Sequence, residues 1–217
     1  MAFIQTVTGA QKVPTGGQPT LRGGNSGELA VIEAHGYYQE PTYRGNVWAF
    51  STAYAGLTLV GTTSVIGAVN WAPLVGLWNP SGSQVYLSII KGYASLVSGT
   101  TTAGGIGWGY APPTTLVTAA GTNGAINLAT FVTGGSIART YITTSPITGL
   151  PASGGMLAPF PVNSFAAAVG ATTSSPAAVD EVAGAILVPP GGAIGISGTL
   201  GTSTIVQAGI VWEEIPL

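Results

Sequence analysis

Cysteine is absent, which excludes a disulfide framework, a thiolate metal site and a cysteine nucleophile together. Ionic groups are almost as scarce. Five Lys plus Arg, seven Asp plus Glu and one His are spread over 217 residues, so 6% of the chain is charged, against about 25% in an ordinary soluble domain. A net charge of −2 excludes an electrostatic nucleic-acid binder, because neutralising phosphates takes clustered Lys and Arg. Long apolar runs are missing too: no stretch of about 18 residues escapes interruption by Gly, Pro or polar side chains, so no spanning helix is expected. The most apolar candidate, 183–200, is broken by Pro189-Pro190-Gly191-Gly192. Aromatic residues cluster in 37–110 rather than in the regular girdles of a membrane barrel. Met1-Ala2-Phe3-Ile4-Gln5 lacks a basic segment followed by an apolar one, so no signal peptide is expected and cytoplasmic synthesis is.

What the chain does contain is turn formers and apolar residues. Gly (34) and Pro (15) make up nearly a quarter of it, and hydrophobic residues 46%, enough for a core and too many for simple disorder. A folded monomer of this mass exposes roughly 9,000 Å², leaving about one formal charge per 750 Å². A surface so poor in charge tends to associate. The expectation is a subunit whose exterior is largely covered by neighbours.

Along the chain, residues 1–27 are rich in Gly, Thr and Gln and read as an extended N-terminal arm. Strands are expected over 28–38, 46–51, 57–60, 74–78, 85–97, 106–110, 184–188, 193–197 and 204–214, from their β-branched and aromatic content between turn signals. The clearest hairpin runs through Asn79-Pro80-Ser81-Gly82-Ser83, where Pro fixes one φ and Gly82 is available for a positive one. Residues 113–181 read as a loop-rich insertion with weak strands near 126–132 and 138–143, and a helical turn near 164–170. The expected fold is all-β: a jelly-roll-like β-sandwich over 28–217, with a domain split near residue 113 as the lesser alternative.

Catalytic chemistry finds little support. Glu33 and the single His35 are two apart and would share a strand face. They could form a carboxylate-oriented base or half a metal site. A polar pair on the solvent side of the strand is the plainer reading, since a metal site recruits roughly three or four ligands. Asp180-Glu181 and Glu213-Glu214 are adjacent pairs, so on a strand their side chains point to opposite faces, a poor geometry for two carboxyls sharing one cleft. The run Gly104-Gly105-Ile106-Gly107-Trp108-Gly109 lacks the Lys-Ser/Thr of a phosphate loop. Tyr37, Tyr38, Tyr43, Trp48, Phe50 and Tyr54 could line a sugar groove, although such residues more often fill a core or an interface. No catalytic, cofactor-binding or metal-binding residue is assigned, and no cofactor is expected.

Two stretches carry a resemblance. Leu77-Trp78-Asn79-Pro80-Ser81-Gly82-Ser83 resembles a recurrent hairpin, and Val188-Pro189-Pro190-Gly191-Gly192-Ala193 with Val211-Trp212-Glu213-Glu214-Ile215-Pro216 resembles its companion ending. The combination is similar to small virion structural proteins of tailed bacteriophages, including jelly-roll capsid decoration (cement) proteins, over 28–100 and 184–217. That resemblance implies a non-enzymatic virion component on the capsid surface, a homo-oligomer with a trimer favoured, whose partner is the major capsid protein. A receptor- or glycan-binding module of a head or tail fibre is the alternative. Trp71 and Trp108 decide between them: lining an open outward pocket, they would favour sugar binding.

Overall fold

In a computed structural model of the chain, the described residues are 6–7, 21–22, 38–58, 70–98, 105–114, 121–151, 154–160, 177–198 and 204–217. The chain divides into two units, Met1–Glu40 and Pro41–Leu217. In the first, β1 (Thr6–Val7) pairs in parallel with β2 (Leu21–Arg22). The rest of the expected arm, and the strand expected over 28–38 except for Tyr38, lie outside the described residues, as does the turn expected near 164–170. A single helical turn, α1 (Gln39–Tyr43), holds Pro41 near its start, where a missing N–H does little harm.

The second unit is built from β3 (Val47–Ser51), β4 (Leu57–Thr58), β5 (Asn70–Trp71), β6 (Val75–Trp78), β7 (Val85–Ser98), β8 (Ile106–Ala111), β9 (Ile126–Asn127), β10 (Arg139–Ile142), β11 (Ile147–Thr148), β12 (Gly155–Pro159), β13 (Ala177–Asp180), β14 (Ile186–Val188), β15 (Ala193–Gly198) and β16 (Ile205–Pro216). All pairings among them are antiparallel. A seven-stranded sheet runs β13-β7-β16-β3-β9, with β14 also on β7 and β4 on β16; a five-stranded sheet runs β10-β6-β15-β8-β12. Alternation along the strands aims Leu87 and Ile89 of β7, and Val206, Ala208, Ile210 and Trp212 of β16, at Val75 and Leu77 of β6, Ile106 and Trp108 of β8, and Ile194 and Ile196 of β15, in one buried cluster. The chain is the expected β-sandwich. Strands on both sides of residue 113 share both sheets, so the 41–217 unit is not split there. The middle stretch supplies β10 and β12 at the two edges of the smaller sheet and β9 and β13 at the edges of the larger.

The two sheets differ on their outer faces. Ala193, on the outward side of β15, joins Trp71, Tyr141, Ile147 and Leu150 in a second buried cluster, and Trp71 Nε1 donates to Ser197 Oγ at 2.9 Å. The β5–β11 pair thus covers the back of the five-stranded sheet. On the back of the seven-stranded sheet Val47, Ser88 and Val211 are buried, while Val179 and Leu187 are exposed.

Glycine is spent inside the unit. A Cβ on Gly92 would lie 2.5 Å from Cη2 and Cζ2 of Trp108, and one on Gly135 2.8 Å from Cη2 of Trp48. Tyr93 lies across Gly209, its cross-strand neighbour. Bare backbone here makes room for aromatic rings within the chain.

Candidate functional site

The structure brings together the two stretches that carry the resemblance. Asn79, with no exposed surface, donates from Nδ2 to the carbonyls of Val85 (2.8 Å) and Val188 (3.0 Å). Its backbone N–H donates to Gly192 O (2.9 Å), and Gly191 N–H donates to Asn79 O (2.6 Å). Trp78 Nε1 reaches Gly191 O at 3.2 Å. The Pro189–Gly192 turn closes with Gly192 N–H on Pro189 O at 2.9 Å and φ of +84° at Gly191, the position of a type II turn that requires glycine. In the facing hairpin the left-handed residue is Gln84, with φ of 58°, rather than the expected Gly82. Beside this junction is an open cleft of about 370 Å³ lined by Ser81, Pro113, Thr114, Pro190 and Gly191. Among the described residues its walls offer hydroxyls and prolines and no titratable side chain.

The acids singled out from the sequence do structural work. Asp180 Oδ2 accepts from Trp108 Nε1 at 2.7 Å, fixing a buried indole, while Glu181 is exposed. Glu213 and Glu214 point to opposite faces of β16, as their adjacency requires. Glu214 is buried, and its Oε1 accepts from Ser136 Oγ (2.7 Å), Ile137 N (2.9 Å) and Ala138 N (3.3 Å). Glu213 sits half-buried on the outward face, and burial pushes its carboxyl above the ordinary range. Residues 105–109 are not a loop: 106–109 belong to β8. Glu33 and His35 lie outside the described residues. Among the described residues no three His, Cys, Asp or Glu side chains gather as a metal site would need, and no helix is long and apolar enough to cross a membrane.

The aromatic residues separate into two groups. Trp71 and Trp108 are 1% and 0% exposed, and Trp48 is buried in the main core. Trp108 packs on Phe160 with ring centroids 5.4 Å apart. Tyr43 and Tyr54, on either side of β3, are 84% and 92% exposed. Phe131 is also exposed and takes a φ of 56° in the turn after β9, a conformation uncommon for a bulky residue. Its position could not be read from sequence, because the turn is set by Asn127, whose Oδ1 accepts from the N–H groups of Ala129 and Thr130 and whose Nδ2 donates to Gly45 O.

Comparison with protein-family models, with curated proteins and with solved structures finds no match for this chain.

Proposed function

We propose that this chain is a non-enzymatic structural protein of a phage particle, a capsid decoration protein that oligomerises and binds the lattice of major capsid protein at the virion surface. The observation that carries the reading is how the sandwich uses its few ionic groups. Asp180 and Glu214 are committed to holding the fold, and the cleft beside the motif junction has no titratable side chain among its described lining residues. Strand order supports it. The runs β3-β16-β7-β14 in one sheet and β6-β15-β8-β12 in the other are compatible with a jelly roll, an architecture of capsid proteins. That link is an analogy of fold. Following the resemblance, we take the oligomer as a trimer and residues 1–27 as the strap that meets the shell.

The test is binding to heads prepared without the chain. The full chain should co-sediment with them saturably, and a version lacking 1–27 should lose most of its occupancy. Failure of the full chain to bind overturns the reading, and unchanged occupancy of the shortened one overturns the strap. The glycan-binding alternative loses Trp71 and Trp108, both enclosed by the core, and among the described tyrosines rests chiefly on exposed Tyr43 and Tyr54. Sugar binding abolished by Tyr43→Ala and Tyr54→Ala together would favour it.

A further inference from the structure

One bulky residue at the surface is held in a conformation that side chains of its size avoid. Phe131 has a φ of 56° and is 78% exposed, and an aromatic residue in the left-handed region is strained. The turn around it is firmly built. Asn127 N–H donates to Val132 O at 3.0 Å and Phe131 N–H to Asn127 O at 2.8 Å, while Asn127 Oδ1 accepts from the N–H groups of Ala129 and Thr130. These bonds fix the backbone and leave the ring outside, next to exposed Val132. Glycine would suit this backbone better, so the turn itself gives no reason for a phenylalanine. Asn127 also donates to Gly45 O at 2.6 Å, two residues after exposed Tyr43. The second feature is the open cleft of about 370 Å³ lined by Ser81, Pro113, Thr114, Pro190 and Gly191. Neither these residues nor those of the 127–133 turn carry a charge. Register puts the two on opposite flanks of one end of the larger sheet. β9 is its margin beyond β3, with Leu128 N–H on Val47 O. β14 lies on the far side of β7 from β16 and leads from Val188, opposite Leu87, to the cleft at Pro190. Both features stand where β7 begins and β16 finishes. Four strand spacings, roughly 19 Å, separate β9 from β14, and Phe131 does not line its own chain's cleft.

We propose that Phe131 of one copy of this chain seats in the Ser81–Pro113–Pro190 cleft of the next copy, repeated head to tail around a ring. Such a contact joins unlike surfaces, and it closes when the rotation between neighbours is a whole fraction of a turn. A ring has no rise along its axis, so the projecting and receiving parts must stand at one height. Their shared position at one end of the strands meets that requirement. The chemistry matches as well. The C–H groups of Pro113 and Pro190 suit the electron-rich face of a phenyl ring, and a buried phenylalanine removes about 150–250 Å² from water. Around it Val132 and Tyr43 on one copy, and exposed Leu187 beside the cleft on the other, extend the apolar contact. No ion is desolvated when the ring enters, which spares the association a large cost. A strained aromatic at a loop tip is then accounted for as the anchor of a subunit contact. The inference rests on the oligomer of the proposed function and names the surfaces that form it, and it holds whether or not the assembly sits on a virion.

The absence of cysteine allows a direct test. In a chain carrying both Val132→Cys and Ser81→Cys, a short bis-maleimide linker should join subunits into covalent oligomers up to the size of the ring, and neither substitution alone should give links. Adding Phe131→Gly should abolish the links. By itself Phe131→Gly should unfold at the same urea concentration as the wild type or a higher one, because glycine relieves the strain, yet sediment at the mass of a single chain. Ser81→Arg, which obstructs the cleft from its exposed rim and leaves the 127–133 turn untouched, should do the same to the mass. A wild type that assembles, with Phe131→Gly assembling equally, overturns the contact and leaves oligomerisation standing. A wild type that sediments as a single chain overturns both. Links formed through Val132→Cys alone would mean that like surfaces meet, and they too overturn the proposal.

Discussion

At Gly92 a hydrogen atom is what allows Trp108 to sit flat against β7. A methyl there would lie 2.5 Å from two ring atoms, and the indole has little freedom to retreat, because its N–H is held by Asp180 and its face by Phe160. Gly92→Ala is expected to cost about 1–3 kcal/mol, as overpacked cores do, seen as a lower urea midpoint at unchanged slope. Tyr141 gives a spectroscopic reading of the second core. Burial pushes its phenol up to about 12, with Arg139 pulling modestly the other way. Its folded value is raised, so its contribution to stability is whole below pH 10 and is lost as pH climbs from 10 to 12. Absorbance titration should show a tyrosine signal that Tyr141→Phe removes, ionising only near pH 12; ionisation of that signal near pH 10 would contradict the burial of this ring.

Among elements, two connections tie distant parts of the chain. Asn79 links the hairpin to the Pro189–Gly192 turn through both carbonyls it serves. Asn79→Ala orphans them in a buried site and should cost about 1–3 kcal/mol; Asn79→Asp should be worse, since a carboxylate cannot donate. Glu214 ties the last strand to 136–138. Glu214→Ala should cost about 1.5–3 kcal/mol, and Glu214→Gln, which keeps one acceptor oxygen, less, both measured by chemical unfolding. The strands that carry β-branched and aromatic residues (β3, β6, β7, β8, β15, β16) were legible within a residue or two of their ends. β12 and β13 were not. Gly155-Met156-Leu157-Ala158-Pro159 and Ala177-Ala178-Val179-Asp180 are edge strands whose pairing comes from β8 and β7, and their own composition carries little β signal. β9 stops after two residues because the Asn127 side chain bends the backbone into a turn. Neither the fate of Glu214 nor the joining of the two motif stretches could be foreseen, since both depend on pairings across about a hundred residues or between non-neighbouring strands.

For the whole molecule, scarcity of charge was the feature of the sequence that carried furthest. It pointed to a covered exterior, an expectation that the described surface leaves to experiment, while the smaller sheet is backed by its own β5–β11 layer. Part of the glycine content accommodates Trp108, Trp48 and Tyr93 within the unit. The account's central claim, that this chain is a repeated structural component of a phage head, is tested most directly by quantitative mass spectrometry of purified particles, counting copies of this chain against the major capsid protein. Decoration of the lattice predicts hundreds of copies per particle, in fixed ratio to the shell. Absence from washed particles would contradict the claim, and a few dozen copies or fewer would move the protein from the lattice to a vertex or the tail.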